Sequence, residues 1–322
     1  MVQKGHSSVI YLLVFGLAFL FGVDTTPCAN FPDKPIRVIV YQGPGSGTDM
    51  EARGILPYVQ KHLGVSIAVE NVPGAEGKIG LTRLWKSKPD GYTLLIHTTT
   101  QSLMGQILFN TEYRVSDFTP IFSWSLTNQV LVVNGETWKT FGEFTKDART
   151  RALSAGLPGR GTAAHLMGLI LADGLGIKVR WVPFGSGQDS LTALAGKHID
   201  FAVGGSTTAL PLVKAGKLRP LLVFAKSKDV VYPETPLPRE VGHDFGIISA
   251  LRGVDGPPNL PSPIIKTLEK AFSEASREPE YLSWAQKRMI EVSPLNHEQY
   301  RMAIAEHLRE IEKYKDILKA PQ

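Results

Sequence analysis

Cysteine is nearly absent: Cys28 stands alone among 322 residues. One cysteine excludes an internal disulfide framework, so stability must come from a buried apolar core, which a chain of this length can build. The eight histidines are dispersed, with no H-E-x-x-H and no Cys/His cluster, so the pattern offers no zinc site. Internal repeats and low-complexity segments are missing too. The net charge of +5 is spread thinly, without the basic stripe or interleaved aromatics that nucleic acid requires. Long apolar runs are absent with one exception. Lys4 precedes an uncharged apolar stretch from Val9 to Val23 that ends at small residues near Ala29. That order reads as a secretory signal over residues 1–29, too short for a confident membrane span, although an N-terminal anchor is the alternative. Thr26 and Pro27 suit lipid attachment at Cys28 badly, so cleavage after Ala29 is expected, leaving an exported chain without cysteine.

What is present is a recurring grammar of strand, glycine-rich turn and helix. "IRVIV" (36–40) is a β-branched run, followed by "YQGPGSGTD" and a helix expected to begin near Thr48 or Asp49. Gly64 ends that helix, and Pro57 inside it should kink or break it. Strands are expected near 66–71, 92–98, 129–134, 199–203 and 219–225, with a final helix over about 296–318. Two further glycine loops, at 156–161 and 185–187, each lead into a helix. Alternating strands and helices imply an α/β fold with largely parallel sheets, whose ligands bind beyond the carboxyl ends of the strands.

A loop without side chains lets a ligand reach the backbone, and a helix N-terminus offers unpaired N–H groups at the positive end of its dipole. Such a place suits an anion. Neither the G-x-x-x-x-G-K-[ST] nor the G-x-G-x-x-G phosphate fingerprint fits these loops, which leaves a small carboxylate as the better reading. Ordinary tight turns are the alternative for any single loop. No catalytic pair stands out. Ser46 lies among glycines at the wrong offsets for a nucleophile elbow. Asp49 reads more readily as a helix cap than as a general base. His165 reads as a brace for its loop, or as a ligand contact. Arg160, flanked by Gly159 and Gly161, is the most suggestive charge for a carboxylate.

Six segments resemble, in order and spacing, the periplasmic receptors of tripartite tricarboxylate transporters, the Bug-type proteins. They are "FPDKPIRVIVYQGPGSGTD", "VENVPGAEGKIG", "KPDGYTLLIHTTT", "GLPGRGTAAHL", "VPFGSGQDSLTALAGKHIDF" and "VKAGKLRPLLV". The resemblance implies a two-domain, periplasmic-binding-protein-like clamp, each domain a mixed, mostly parallel sheet flanked by helices. It places residues 30–128 with 249–322 in one domain and 129–248 in the other. On matching positions it assigns Pro44, Gly45, Ser46, Gly47, Thr48 and Asp49 to one wall of the ligand site, with Thr98 and Thr99 adding hydroxyl donors. The opposite wall would hold Gly159, Arg160, Gly161, Thr162 and His165, with Phe184, Gly185 and Ser186 beyond. The implied activity is capture of a small organic acid by a monomer, and its delivery to membrane permease subunits. A signalling receptor that presents the closed form to a sensor protein, or an exported enzyme acting on an organic acid, are the alternatives. No cofactor or metal is implied. The chain departs from the family pattern at Tyr41-Gln42, Ser46, Glu76 and Lys78. It also has Gly204 where a second polar or acidic residue follows Asp200, which weighs against amino-acid ligands.

Overall fold

The computed structural model describes Met1 and residues 31–159 and 161–320. Cys28, the rest of the expected signal segment and Arg160 lie outside the described residues. The chain first forms β1 (Ile36–Val40), α1 (Gly47–Leu63), β2 (Ile67–Asn71), α2 (Lys78–Trp85), β3 (Thr93–Thr98), α3 (Thr99–Leu108) and β4 (Thr119–Thr127). It then forms β5 (Gln129–Asn134), α4 (Phe141–Ala148), β6 (Leu153–Pro158), α5 (Ala163–Leu175), β7 (Val179–Phe184) and α6 (Gly187–Ala195). β8 (Phe201–Gly205), α7 (Ser206–Lys214) and β9 (Leu218–Phe224) follow. After a long connection come β10 (Ala250–Gly256), α8 (Ser262–Ala275), α9 (Pro279–Lys287), β11 (Val292–Leu295), α10 (His297–Lys313) and α11 (Lys315–Lys319).

These strands form two sheets, ordered β11-β4-β10-β3-β1-β2 and β7-β6-β8-β5-β9. In the first, β1 to β4 run one way and β10 and β11 the other; in the second, β5 alone opposes β6 to β9. The sheets are therefore mixed but mostly parallel in direction. The chain passes between them twice, at Asn128 and through residues 225–249. β1 carries its β-branched run because both faces are covered: Ile36, Val38, Ile39 and Val40 are fully buried. One apolar cluster joins the halves, linking Leu103 and Tyr300 beside the first sheet to Leu166 and Phe224 beside the second.

Several local expectations change. α1 starts at Gly47 and is capped by Ser46, whose Oγ accepts from the Asp49 N–H at 3.2 Å, so Ser46 and not Asp49 is the cap. α1 also runs unbroken through Pro57. Ile55, Leu56 and Val59 are buried around that proline, and their packing holds the turn despite the one missing N–H. The final helix divides at Tyr314 into α10 and α11. Among the described residues no helix is long and apolar enough to cross a membrane.

Candidate functional site

Because β1, β3, β6, β7 and β8 all aim their carboxyl ends at the gap between the sheets, the helices that follow them begin there. Ser46, Gly47 and Thr48 open α1, Thr98 and Gln101 lie at the start of α3, and Thr162 to Ala164 open α5. Gly187 opens α6, and Gly205 with Thr208 lies at the start of α7. Together they line a cavity of about 310 Å³. Gln42 after β1, Gly204 near the end of β8, and Thr127, Gln129, Ala250 and Arg252 around the crossing between the sheets complete its lining among the described residues. Wider surface cavities of about 610 Å³ beside α3 and α11, and about 660 Å³ between α7 and α9, do not gather helix N-termini from both sheets.

The lining is rich in donors. Gly45 takes a positive φ of 79°, which turns its N–H onto Asp49 Oδ2 at 2.9 Å. Asp49 also accepts from Arg53 Nε and Asn71 Nδ2, each at 2.9 Å. Burial opposes its ionisation, but these hydrogen bonds outweigh that cost and hold the carboxyl below its usual range. The braced loop leaves the N–H groups of Gly47 and Thr48 without an acceptor among the described residues. Ala163 and Ala164, across the cavity, are in the same condition. Burial pushes the Tyr41 hydroxyl up to about 12, so it stays protonated and donates to Gln101 Oε1 at 2.9 Å. The amide of Gln101 thus accepts behind the cavity, and its NH₂ group has no acceptor among the described residues.

Five helix N-termini supply partial positive charge to this space. Among the described residues that line it, Arg252 is the one cation. Its Nη1 pairs with Glu51 Oε1 at 3.0 Å, with side chains 18% and 5% exposed respectively. Glu51 is fixed in turn by Trp124 Nε1 at 3.2 Å and by the Ser125 hydroxyl.

Of the residues expected at the site, Ser46, Gly47, Thr48, Thr98 and Thr162 line the cavity. Pro44 and Gly45 form the exposed tip of the first loop. Asp49 and Thr99 lie behind the wall, Thr99 bonded to the Tyr300 hydroxyl. His165 is fully buried and accepts from the Gly161 N–H at 3.1 Å, while the Gly159 carbonyl accepts from Thr162 Oγ1 at the same distance. Phe184 and Gly185 precede α6, and Ser186 caps it. Sequence reasoning did not reach Gln42, Gln101, Thr127, Gln129, Thr208, Ala250 or Arg252. For Thr208 a signal existed, since "VGGSTT" repeats the strand, glycine, helix grammar.

The fold also assembles a chain that no motif foretold. His97 Nδ1 lies 2.8 Å from Ser102 Oγ, and its Nε2 lies 3.0 Å from Asp255 Oδ2. This resembles a hydrolase relay in composition, but His97 and Asp255 are fully buried and Ser102 is 2% exposed. A nucleophile sealed in the core meets no substrate.

Two mixed sheets closing on a donor-lined gap define a periplasmic-binding-protein-like fold. A TctC solute binding protein from Polaromonas superposes with a TM-score of 0.78 at 26% identity, covering 89% of this chain and 99% of that one. MatC from Rhodopseudomonas palustris, solved with bound malate, gives a TM-score of 0.72 at 26% identity, over 89% and 100% of the two chains. A UPF0065 protein from the TAR-I ttuE-ttuC' intergenic region of Agrobacterium vitis is 28% identical over 254 residues, 78% of this chain and 73% of its own. The profile of the tripartite tricarboxylate transporter family receptor, TctC, matches residues 52–321. The chain belongs to that family of substrate-binding receptors.

Proposed function

We propose that this protein is an exported receptor that captures a small organic carboxylate in the cavity between its sheets and delivers it to a membrane permease. The observation that carries this reading is the convergence of unengaged N–H groups from α1 and α5, on opposite sheets, upon one space that also holds Arg252. A carboxylate offers about four lone-pair sites, and its negative charge suits the positive ends of the helix dipoles. The malate held by MatC is an acid of this class. Residues 30–128 with 249–322 and residues 129–248 act as the two domains of the clamp, turning about Asn128 and the 225–249 connection. Lys4, the apolar stretch after it and Ala29 support export to the periplasm, where a permease partner would meet the loaded form.

The test is a melting screen of refolded, ligand-stripped protein against a panel of carboxylates and their amides. An acid at about 100 times its dissociation constant adds about 2.7 kcal/mol, a shift of several degrees. A shift with an acid that its amide does not reproduce supports the reading; no shift with any acid overturns it.

A further inference from the structure

Resting on that carboxylate reading, we propose that Arg252 is the specificity-determining residue of the cavity, and that it reads an acid group of the ligand through the Nε–Nη2 edge of its guanidinium. Nη1 is already committed, to Glu51 Oε1 at 3.0 Å and to Thr127 Oγ1 at 3.4 Å. Nε is buried without a hydrogen-bond partner, and Nη2 engages no acceptor among the described residues. Nη2 borders the first turn of α1, only 3.3 Å from where a Cβ on Gly47 would stand. The guanidinium is thus held at Nη1, while Nη2 and the covered Nε beside it are without acceptors among the described residues, on the edge whose two parallel N–H groups match a carboxylate.

Three physical points favour a ligand on that edge. A buried donor without an acceptor is costly, and an incoming oxygen removes the cost. Glu51 is itself clamped by Trp124 and Ser125, so the fork is oriented before the ligand arrives and little side-chain freedom is lost on binding. Glu51 also cancels the formal charge of Arg252, so the empty cavity carries no isolated buried cation. Arg252 therefore contributes directional donors, while the helix N-termini supply the field that favours an anion.

The experiment is a cycle between protein and ligand. Dissociation constants are measured by calorimetry for succinate, malate, citrate and benzoate, and for an amide of each, on wild type, Arg252→Gln and Arg252→Lys. Circular dichroism confirms that each variant is folded. Wild type should prefer the best acid over its amide by roughly tenfold or more, and Arg252→Gln should lose most of that preference. Arg252→Lys keeps the charge without the fork and should fall between them. Should Arg252→Gln fail to fold because Glu51 is left unpaired, the double variant Arg252→Gln/Glu51→Gln takes its place. An equal loss for acid and amide marks a purely structural ion pair and overturns the assignment, as does an unchanged preference. If wild type binds no acid at all, the carboxylate reading fails and this assignment falls with it; acid binding that ignores Arg252 removes this assignment alone.

Discussion

Asn128 Oδ1 accepts a hydrogen bond from Ser249 Oγ at 3.0 Å, tying together the two places where the chain passes between sheets. The other end of the same amide donates to Asp229 Oδ2 at 2.9 Å, and the Asn128 carbonyl accepts from the Ser206 N–H at 2.9 Å. One buried side chain thus connects the first crossing, the second crossing and the polar turn at Asp229. Asn128→Ala removes both side-chain bonds and leaves the 2%-exposed Asp229 short of a donor. Urea unfolding should show a loss of about 1–3 kcal/mol. Stability within 0.5 kcal/mol of wild type, roughly the scale of a neutral surface change, would mean that the tie is dispensable.

The loop before α1 depends on the charge of Asp49. Asp49→Ala should lower stability by about 1–3 kcal/mol and weaken acid binding, because Gly45, Arg53 and Asn71 lose their common acceptor. The sign of the pH effect follows from the lowered pKa. A carboxyl with a folded-state value below the unfolded one contributes stability that is present above the unfolded value and is lost as pH falls through the folded one. The Asp49 contribution should therefore be constant from pH 5 to 8 and disappear only below about pH 4. Melting curves of wild type and Asp49→Ala should keep a constant separation from pH 5 to 8 and draw together as the pH falls further. A difference that does not shrink below about pH 4 would contradict this account.

The strands and helices with strong periodicity were legible in the sequence, and so were Ser46, Gly47, Thr48 and Thr98 of the cavity lining. "IRVIV" and "QVLVVN" are buried on both faces and read as strands without help. Glycine loops marked three of the five helix starts. The crossing side of the cavity was hidden for a physical reason. Arg252 and Ala250 lie on β10, "ALRGVDG", which mixes two glycines with two charges and shows no alternation. Such a strand is specified by its neighbours: β3 and β4 pair with it on either side, and Gly253 is required where the Tyr300 ring leaves no space for a Cβ. Gln101 and Thr127 went unread because α3 and β4 were not foreseen as elements. Their partners are distant in the chain, and tertiary pairing supplied what local pattern did not.

The buried Ser102–His97–Asp255 chain offers a direct test of receptor against enzyme. Ser102→Ala removes one hydrogen bond to His97 and should cost about 0.5–1.5 kcal/mol in stability. Acid affinity should stay within twofold, and ligand recovered after long incubation should be chemically unchanged with either protein. Turnover by wild type that is lost in Ser102→Ala would establish the hydrolase reading instead.

Gly47→Ala probes the contact between α1 and Arg252 directly. The new methyl would sit 3.3 Å from Arg252 Nη2, closer than an ordinary contact, so the guanidinium must shift by a few tenths of an ångström. Glu51 and Thr127 hold Nη1 and resist that movement. Gly47 does not adopt a positive φ, so alanine fits the backbone and reduces unfolded-state entropy. Stability should then change by no more than about 1 kcal/mol, in either direction. Acid affinity should fall several-fold because the fork is displaced from the carboxylate. The decisive measurement repeats Gly47→Ala in the Arg252→Gln background. Residues in contact couple, so the several-fold loss should vanish there. A loss of the same size in both backgrounds would place the effect of Gly47 on the α1 N–H groups and not on Arg252.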